Sequence, residues 1–271
     1  KEQRPRTLPV LFEANRCRME CLPLLRVTTW RVNTMEPVTI ESRAWSIFDR
    51  YFPNRLEWAR WKFAGFLLLF FCIFAAIPYT LSNHIAAWRG VSVGNIEIWL
   101  DREIPFTSWA IIFYIAYYIY IPVVAWIGAA THRREEALVF FQRFIGLTWG
   151  VFVIFIMLPV EVTLRDQVVF EPGFYGWFMT DLHAADPPFN SWPSLHVFQS
   201  FMMLLIVRAW YLKENRWPMA LAIVAWATTA LIWFSTVGIK QHYLFDIVTG
   251  LAVTATAWHF WIRFSIIQTE H

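Results

Sequence analysis

Six long apolar stretches follow one another along the chain, separated by shorter polar segments. They cover residues 63–82, 108–130, 145–161, 194–212, 218–239 and 245–266. Runs such as LLLFFCIF and VFVIFIML are apolar at consecutive positions, whereas transmembrane strands alternate. Each stretch approaches the ~20 residues that a helix needs to cross the hydrocarbon core. The pattern predicts an all-α integral membrane protein, a six-helix bundle with a long loop between its third and fourth spans.

The composition agrees with a membrane protein. Hydrophobic residues make up 58% of the chain and charged residues 16%, against roughly 25% charged residues in soluble domains. The 17 tryptophans are typical of the aromatic belts at a membrane surface. No basic tract with interleaved aromatics indicates a nucleic-acid partner. We expect the three cysteines, Cys17, Cys21 and Cys72, to be free thiols.

The N-terminal region divides into two parts. Residues 1–34 show no sustained period and are expected to be a disordered or spurious extension, because a more regular sequence begins at Met35. Residues 35–62 mix arginines with aromatics, which is typical of a segment lying in the headgroup layer. The alternative is an ordinary polar lead-in to the first span. Residues 63–266 then form the six-span domain.

Basic residues are distributed unequally between the two ends of the predicted spans. From Met35 onward, one side carries Arg43, Arg50, Arg55, Arg60, Lys62, Arg133, Arg134, Arg143, Arg208, Lys213, Arg216 and Arg263. That side includes the predicted loops 131–144 and 208–217. The other side carries Arg89, Arg102, Arg165 and Lys240. The positive-inside rule makes the first side cytoplasmic, so the loop 162–193 faces periplasm, lumen or exterior.

Polar residues with catalytic potential converge on that non-cytoplasmic side. In SWPSLH, Ser194 suits a helix N-cap and His196 lies in the first turn, where free backbone N–H groups favour a phosphate. In HYLFD, His242 and Asp246 are four residues apart and share a helix face, so the carboxylate can orient the imidazole. Structural roles remain as alternatives. Ser194 could only cap the helix while His196 lies at the membrane surface, and His242 and Asp246 could form a structural pair.

These two segments resemble the second and third motifs of the type 2 phosphatidic acid phosphatase (PAP2) superfamily. The chain reads Pro193-Ser194-Leu195-His196 where the family has P-S-G-H, and Ser235, His242 and Asp246 match the spacing of S-R-x5-H-x3-D. The motif glycine is replaced by Leu195 and the motif arginine by Thr236. The first motif of the family, K-x6-R-P, is not matched in full, and Arg165 is the residue nearest to its arginine. DREIPF and KQHYLFD are similar to the branch that contains inositol phosphorylceramide synthases.

The resemblance implies a role for each motif residue. His242 would attack phosphorus and form a phosphohistidine, Asp246 would orient it, and His196 would protonate the leaving alkoxide. Phosphoryl oxygens would be held by Ser194, Arg165, Lys240 and Ser235. No metal and no other cofactor is expected.

The function predicted from these residues is that of a lipid phosphate phosphatase or phosphotransferase at the non-cytoplasmic face, with a phospholipid or sphingolipid as substrate. One alternative is a headgroup transferase of the inositol phosphorylceramide or sphingomyelin synthase type. An alternative of another class is a small proton-coupled transporter, which would place charges deep in the spans on both sides of the midplane. Asp181, His183 and Asp186 lie in the long loop, which is expected to cover the site. The oligomeric state is left open.

Overall fold

We describe the fold from a computed structural model, which describes residues 29–30, 37–38 and 44–266. The chain divides into two compact units, Lys1–Glu41 and Ser42–His271. In the first unit, strand β1 (Thr29–Trp30) pairs antiparallel with β2 (Pro37–Val38). Beyond these four residues, the expectations for 1–34, Met35, Cys17 and Cys21 lie outside the described part of the chain.

The described part of the second unit is helical. Its α-helices are α1 (Ser46–Tyr51), α2 (Arg60–Phe71), α3 (Ile77–Arg89), α4 (Trp99–Glu103), α5 (Ile111–Gly128), α6 (Arg134–Met157), α7 (Phe174–Ala185), α8 (Leu195–Lys213), α9 (Met219–Gly238) and α10 (Leu244–Phe260). Short 3-10 helices occupy Arg55–Glu57, Ser108–Ala110, Thr131–Arg133, Thr163–Gln167 and Ile262–Ser265. Helices suit this composition because all their backbone groups bond internally, as a membrane requires.

Five segments of the described chain are long and apolar enough to cross a membrane: Arg60–Arg89, Ser108–Gly128, Thr131–Met157, Leu195–Lys213 and Met219–Gly238. These confirm a helical membrane protein. The sixth predicted span corresponds to α10, an apolar helix of 17 residues, so the count of six stays a prediction. The predicted long loop is the segment between α6 and α8, and α7 lies within it.

The prediction of a loop at 131–144 is wrong. Helix α6 begins at Arg134, the fourth residue of that range, and the charged residues Arg133, Arg134 and Glu136 are buried. Arg133 binds Glu214 at 2.5 Å. Ion pairing of this kind lets charged side chains lie at the end of a bundle, where sequence alone indicates a solvated turn.

The first span contains a π turn. Residues Cys72–Ala76 form it, between α2 and α3. The backbone carbonyl of Phe74 accepts a hydrogen bond of 2.8 Å from the indole Nε1 of Trp149 on α6. A π turn places an extra residue in the helix and is often found at functional sites. Here Cys72 and Ala75 of the turn line a cavity described below.

Helix α8 lies at the centre of the bundle. In its most apolar window 67% of the residues are buried, more than in any other candidate span. It packs against α5, α6, α9 and α10. Four helix ends meet at one end of the bundle: the N-terminal ends of α8 and α10 and the C-terminal ends of α3 and α9. The candidate site lies there.

Candidate active site

The starts of α8 and α10 are held against each other. Ser194 caps α8: its Oγ accepts a bond from the Val197 N–H at 3.5 Å, and its own N–H donates to the carbonyl of Asp246 at 3.2 Å. Gly250 permits this approach, because a Cβ there would lie 3.0 Å from the Ser194 carbonyl oxygen and 3.1 Å from Cβ of Val197. The two predicted motifs thus form one site.

His242 and Asp246 form the predicted pair. Nδ1 of His242 lies 3.2 Å from Oδ2 of Asp246 and 3.0 Å from the carbonyl oxygen of Ser191. The same carboxylate oxygen accepts the Tyr243 N–H at 2.9 Å. Both neighbours of Nδ1 are acceptors, so this nitrogen carries the proton. Nε2 is then left with its lone pair, which is the form a nucleophile needs.

A second imidazole faces the first. The ring centroids of His196 and His242 lie 6.0 Å apart at an interplanar angle of 63°. His196 stacks on Tyr114 at 4.0 Å and lies 4.4 Å from the ring of Tyr117. Its Nε2 is buried and has no hydrogen-bond partner among the described residues. The separation leaves room for a reacting atom within reach of both rings.

The two histidines line a polar pocket, which also includes Arg165, Asp186, Asn190 and Gln241. Its free volume is about 20 Å³, which is room for about one water molecule. Ser194 is not among the lining residues, but its Oγ lies 3.4 Å from Nε2 of His242. Predicted residues from three distant parts of the chain are therefore brought together here.

Arg165 enters the polar pocket from the 3-10 helix Thr163–Gln167. Its Nη2 donates to Oε1 of Gln241 at 2.5 Å, and its Nε is buried without a partner in the described structure. Burial lowers the pKa of this guanidinium, which nevertheless stays charged at any physiological pH. The other side of Gln241 contacts Nε2 of His183 at 2.9 Å. Burial, assisted by the Arg165 charge, lowers the pKa of His183 to about 4.

Of the four residues predicted to bind phosphate, Arg165 lines the polar pocket, whereas Ser194, Lys240 and Ser235 do not. Lys240 is fully buried, and its Nζ donates to the carbonyl oxygens of Asp101 at 2.8 Å and Ile104 at 2.5 Å. The hydroxyl of Ser235 donates to the Ile232 carbonyl within its own helix, at 2.7 Å. Lys240 instead ties the DREIPF segment to the start of α10, and Oδ1 of Asp101 accepts the Leu244 N–H at 2.7 Å.

Asp186 and Asn190 are pocket residues that the motifs did not indicate. Asp186 follows α7, and its Oδ1 accepts hydrogen bonds from the Tyr79 hydroxyl at 2.8 Å and from Nδ2 of Asn83. Burial raises the pKa of Asp186, although Tyr79 and Arg165 oppose that shift. Asn190 is 7% exposed, and neither polar atom of its side chain has a partner among the described residues.

A much larger apolar cavity opens beside the polar pocket. Its volume is about 400 Å³, and its wall includes Leu68, Phe71, Ala75, Ile121, Pro122 and Phe152. Tyr79, Asp186, Leu195 and His196 line both spaces. An amphiphile with a polar head and an apolar chain matches this pair of spaces. Within the described residues, no group of three or more His, Cys, Asp or Glu side chains is arranged to hold a metal ion.

A family model for the PAP2 superfamily matches residues 84–260. That range contains Arg165, His196, His242 and Asp246. No curated protein and no solved structure matches the chain. The family match covers every residue that lines the polar pocket except Tyr79.

Proposed function

Because the chain belongs to the PAP2 superfamily, whose members are generally phosphatases or phosphotransferases, we propose that it acts on lipid phosphates through a phosphohistidine intermediate. The observation that carries this proposal is the environment of His242. Its Nδ1 faces two acceptors, its ring lines the polar pocket, and the ring of His196 lies 6.0 Å away. An oriented imidazole with a free lone pair is a competent nucleophile.

In the first half-reaction, Nε2 of His242 attacks phosphorus, and the bond from phosphorus to the lipid oxygen breaks. His196 gives its proton to the departing alkoxide, which is a poor leaving group without an acid. The rings of Tyr114 and Tyr117 pack against His196 and hold it beside His242 for this transfer. Asp246 stabilises the positive charge that develops on the His242 ring.

In the second half-reaction, the oxygen of an acceptor attacks the phosphohistidine. The N–P bond breaks, its electron pair returns to Nε2, and the acceptor's proton passes to His196. Arg165 and the free N–H groups at the start of α8 stabilise the equatorial oxygens in both halves. Water as acceptor gives a phosphatase, whereas a lipid hydroxyl gives a transferase.

A lipid substrate is supported by the apolar cavity. Because Leu195 and His196 line both spaces, a phosphate at His242 leaves its acyl chains beside the apolar wall. The five candidate spans fit an integral membrane protein. The excess of basic residues at the opposite ends of the helices supports a site on the non-cytoplasmic side.

The test uses purified protein in detergent with EDTA present. Phosphatidic acid is supplied in one reaction, and a phosphoinositide with ceramide in another, while free phosphate and new lipids are followed. We expect turnover that His242→Ala abolishes. Free phosphate would identify a phosphatase, and a new phospholipid without free phosphate a transferase. Turnover that survives in His242→Ala would overturn the assignment of the nucleophile.

A further inference from the structure

We propose that Asn190 is a further substrate ligand of the polar pocket, and that its side-chain amide donates to an equatorial oxygen of the phosphoryl group during transfer. Asn190 lies in the segment between α7 and α8, outside both sequence motifs. It would act in the reaction of the proposed function, on which this inference rests. Its role is the same whichever lipid carries the phosphoryl group and whichever acceptor receives it.

The side chain of Asn190 lines the polar pocket and is unpaired there. The residue is 7% exposed, and neither Nδ2 nor Oδ1 has a hydrogen-bond partner among the described residues. Most buried amides in folded proteins are hydrogen-bonded, because an unpaired one lowers stability. An oxygen of a ligand in this pocket would supply the partner that the protein does not.

The backbone at Asn190 is fixed beside the nucleophile. Asn190 and Val160 form a parallel bridge, and the hydroxyl of Ser191 donates to the Val160 carbonyl at 3.4 Å. The carbonyl oxygen of the same Ser191 lies 3.0 Å from Nδ1 of His242. One residue therefore separates the amide from a contact that orients the imidazole. A donor held in place before the reaction is what stabilises charge in a transition state.

Two other side-chain nitrogens of the polar pocket are buried and unpaired within the described structure. They are Nε of Arg165 and Nε2 of His196. Three distant segments thus each bring one unpaired nitrogen to the pocket that His242 lines. A phosphoryl group in transfer carries charge on its equatorial oxygens and needs donors around them. Because His196 is assigned to the leaving oxygen, Arg165 and Asn190 suit the equatorial oxygens.

Two of the predicted phosphate ligands are bound elsewhere, which leaves room for another donor. Nζ of Lys240 binds two backbone carbonyls, and the Ser235 hydroxyl donates within its own helix. Arg165 itself has Nη2 bound to Gln241 at 2.5 Å. The amide of Asn190 adds a hydrogen-bond donor to the pocket without adding a charge.

The experiment uses orthovanadate, whose five-coordinate adduct on a nucleophile resembles the transition state of phosphoryl transfer and so binds tightly. The dissociation constant is measured by calorimetry with the intact protein in detergent, without a chelator. Asn190→Ala removes the amide, and Asn190→Asp keeps its shape but replaces the donor by a charged acceptor. Asn54→Ala and Asn54→Asp, at an exposed asparagine between α1 and α2, are the matched controls. His242→Ala tests the nucleophile in the same assay.

We expect Asn190→Ala to weaken vanadate binding by roughly 10- to 150-fold, as loss of a hydrogen bond to a charged group predicts. Asn190→Asp should weaken it by about tenfold more, because the carboxylate repels the anion. Without vanadate, the thermal midpoint of Asn190→Ala should equal or exceed that of wild type, since an unpaired buried amide is removed. The Asn54 variants should bind vanadate as wild type does.

A purely structural role for Asn190 predicts the reverse order. Asn190→Asp keeps the volume, so Asn190→Ala would then bind vanadate less tightly and unfold at a lower temperature. That order, or unchanged binding in both Asn190 variants, would overturn the inference. If Asn190→Ala does not fold, Asn190→Asp compared with Asn54→Asp decides.

The His242→Ala arm separates failure of this inference from failure of the proposed function. Vanadate binding that is lost in His242→Ala but unchanged in both Asn190 variants overturns the role of Asn190 and leaves the nucleophile in place. Binding that is unchanged in His242→Ala, or absent from wild type, contradicts the proposed function and the inference with it.

Discussion

Replacement of Asp246 by asparagine tests how the nucleophile is oriented. In an Asp–His pair that depends on the carboxylate alone, this change gives the wrong tautomer and lowers turnover by ≈ 10⁴. Here Nδ1 of His242 has a second acceptor, the Ser191 carbonyl oxygen at 3.0 Å, nearer than the carboxylate at 3.2 Å. The tautomer should therefore survive in Asp246→Asn, and only the charge-assisted hydrogen bond is lost.

The loss of that bond sets the expected magnitude. A hydrogen bond to a charged group contributes about 1.5–3 kcal/mol, which corresponds to a rate reduction of roughly 10- to 150-fold. The asparagine oxygen can still accept the Tyr243 N–H, now bound by the carboxylate at 2.9 Å, so the start of α10 should stay folded. The thermal midpoint of the purified variant checks this.

The assay is the single-turnover rate of phosphohistidine formation with a lipid labelled at phosphorus, for wild type, Asp246→Asn and the control Asp181→Asn. We expect a reduction near 10²-fold for Asp246→Asn and none for the control. A reduction of 10⁴ or more would refute the role given to the Ser191 carbonyl. A reduction below threefold would refute the role given to Asp246.

Three further predictions concern packing, charge and the apolar cavity. Gly250→Ala should lower kcat by about tenfold with little change in KM, because the added Cβ would push Ser194 a few tenths of an ångström from its place beside the His242 pair. Gly65→Ala, which has open space around it, is the control. Equal activity of both variants would contradict this prediction. Lys240→Met should lower the free energy of unfolding by about 1–3 kcal/mol, since two carbonyls lose their donor. The KM of the folded fraction should change little. A large rise in KM at unchanged stability would instead support Lys240 as a phosphate ligand. Ala75→Phe should fill part of the 400 Å³ cavity and raise KM for long-chain substrates more than for short-chain analogues, and an equal effect on both would argue against chains in that cavity.

The spans and the contact between His242 and Asp246 follow from sequence because each depends on a local pattern. Continuous apolar runs predict helices, and the four-residue spacing of His242 and Asp246 predicts the contact between their side chains. The predicted shared helix face is wrong, because His242 lies two residues before the start of α10 and reaches Asp246 in its first turn. The start of α6 was predicted wrongly because it depends on a contact between residues that are distant in sequence. Arg133 and Glu214 are distant in sequence, and their ion pair is what allows charged residues to lie in a packed helix end.

The pocket residues missed by sequence reasoning depend on contacts between distant segments. Asp186 becomes a pocket residue because Tyr79 and Asn83 of α3 hold it there, and no local spacing encodes that contact. Lys240 shows the converse. A lysine beside a phosphate motif favours a phosphate ligand, but the carbonyls of Asp101 and Ile104 bind its ammonium group instead.

The most direct test of the central claim is the identification of the labelled residue. Wild-type protein is mixed with a lipid carrying ³²P, quenched in alkali, digested and sequenced by mass spectrometry. We predict a label that is stable in alkali, lost in acid and located on His242, and absent from His242→Gln. Turnover of the lipid without label on His242, or with label on another residue, would contradict the account.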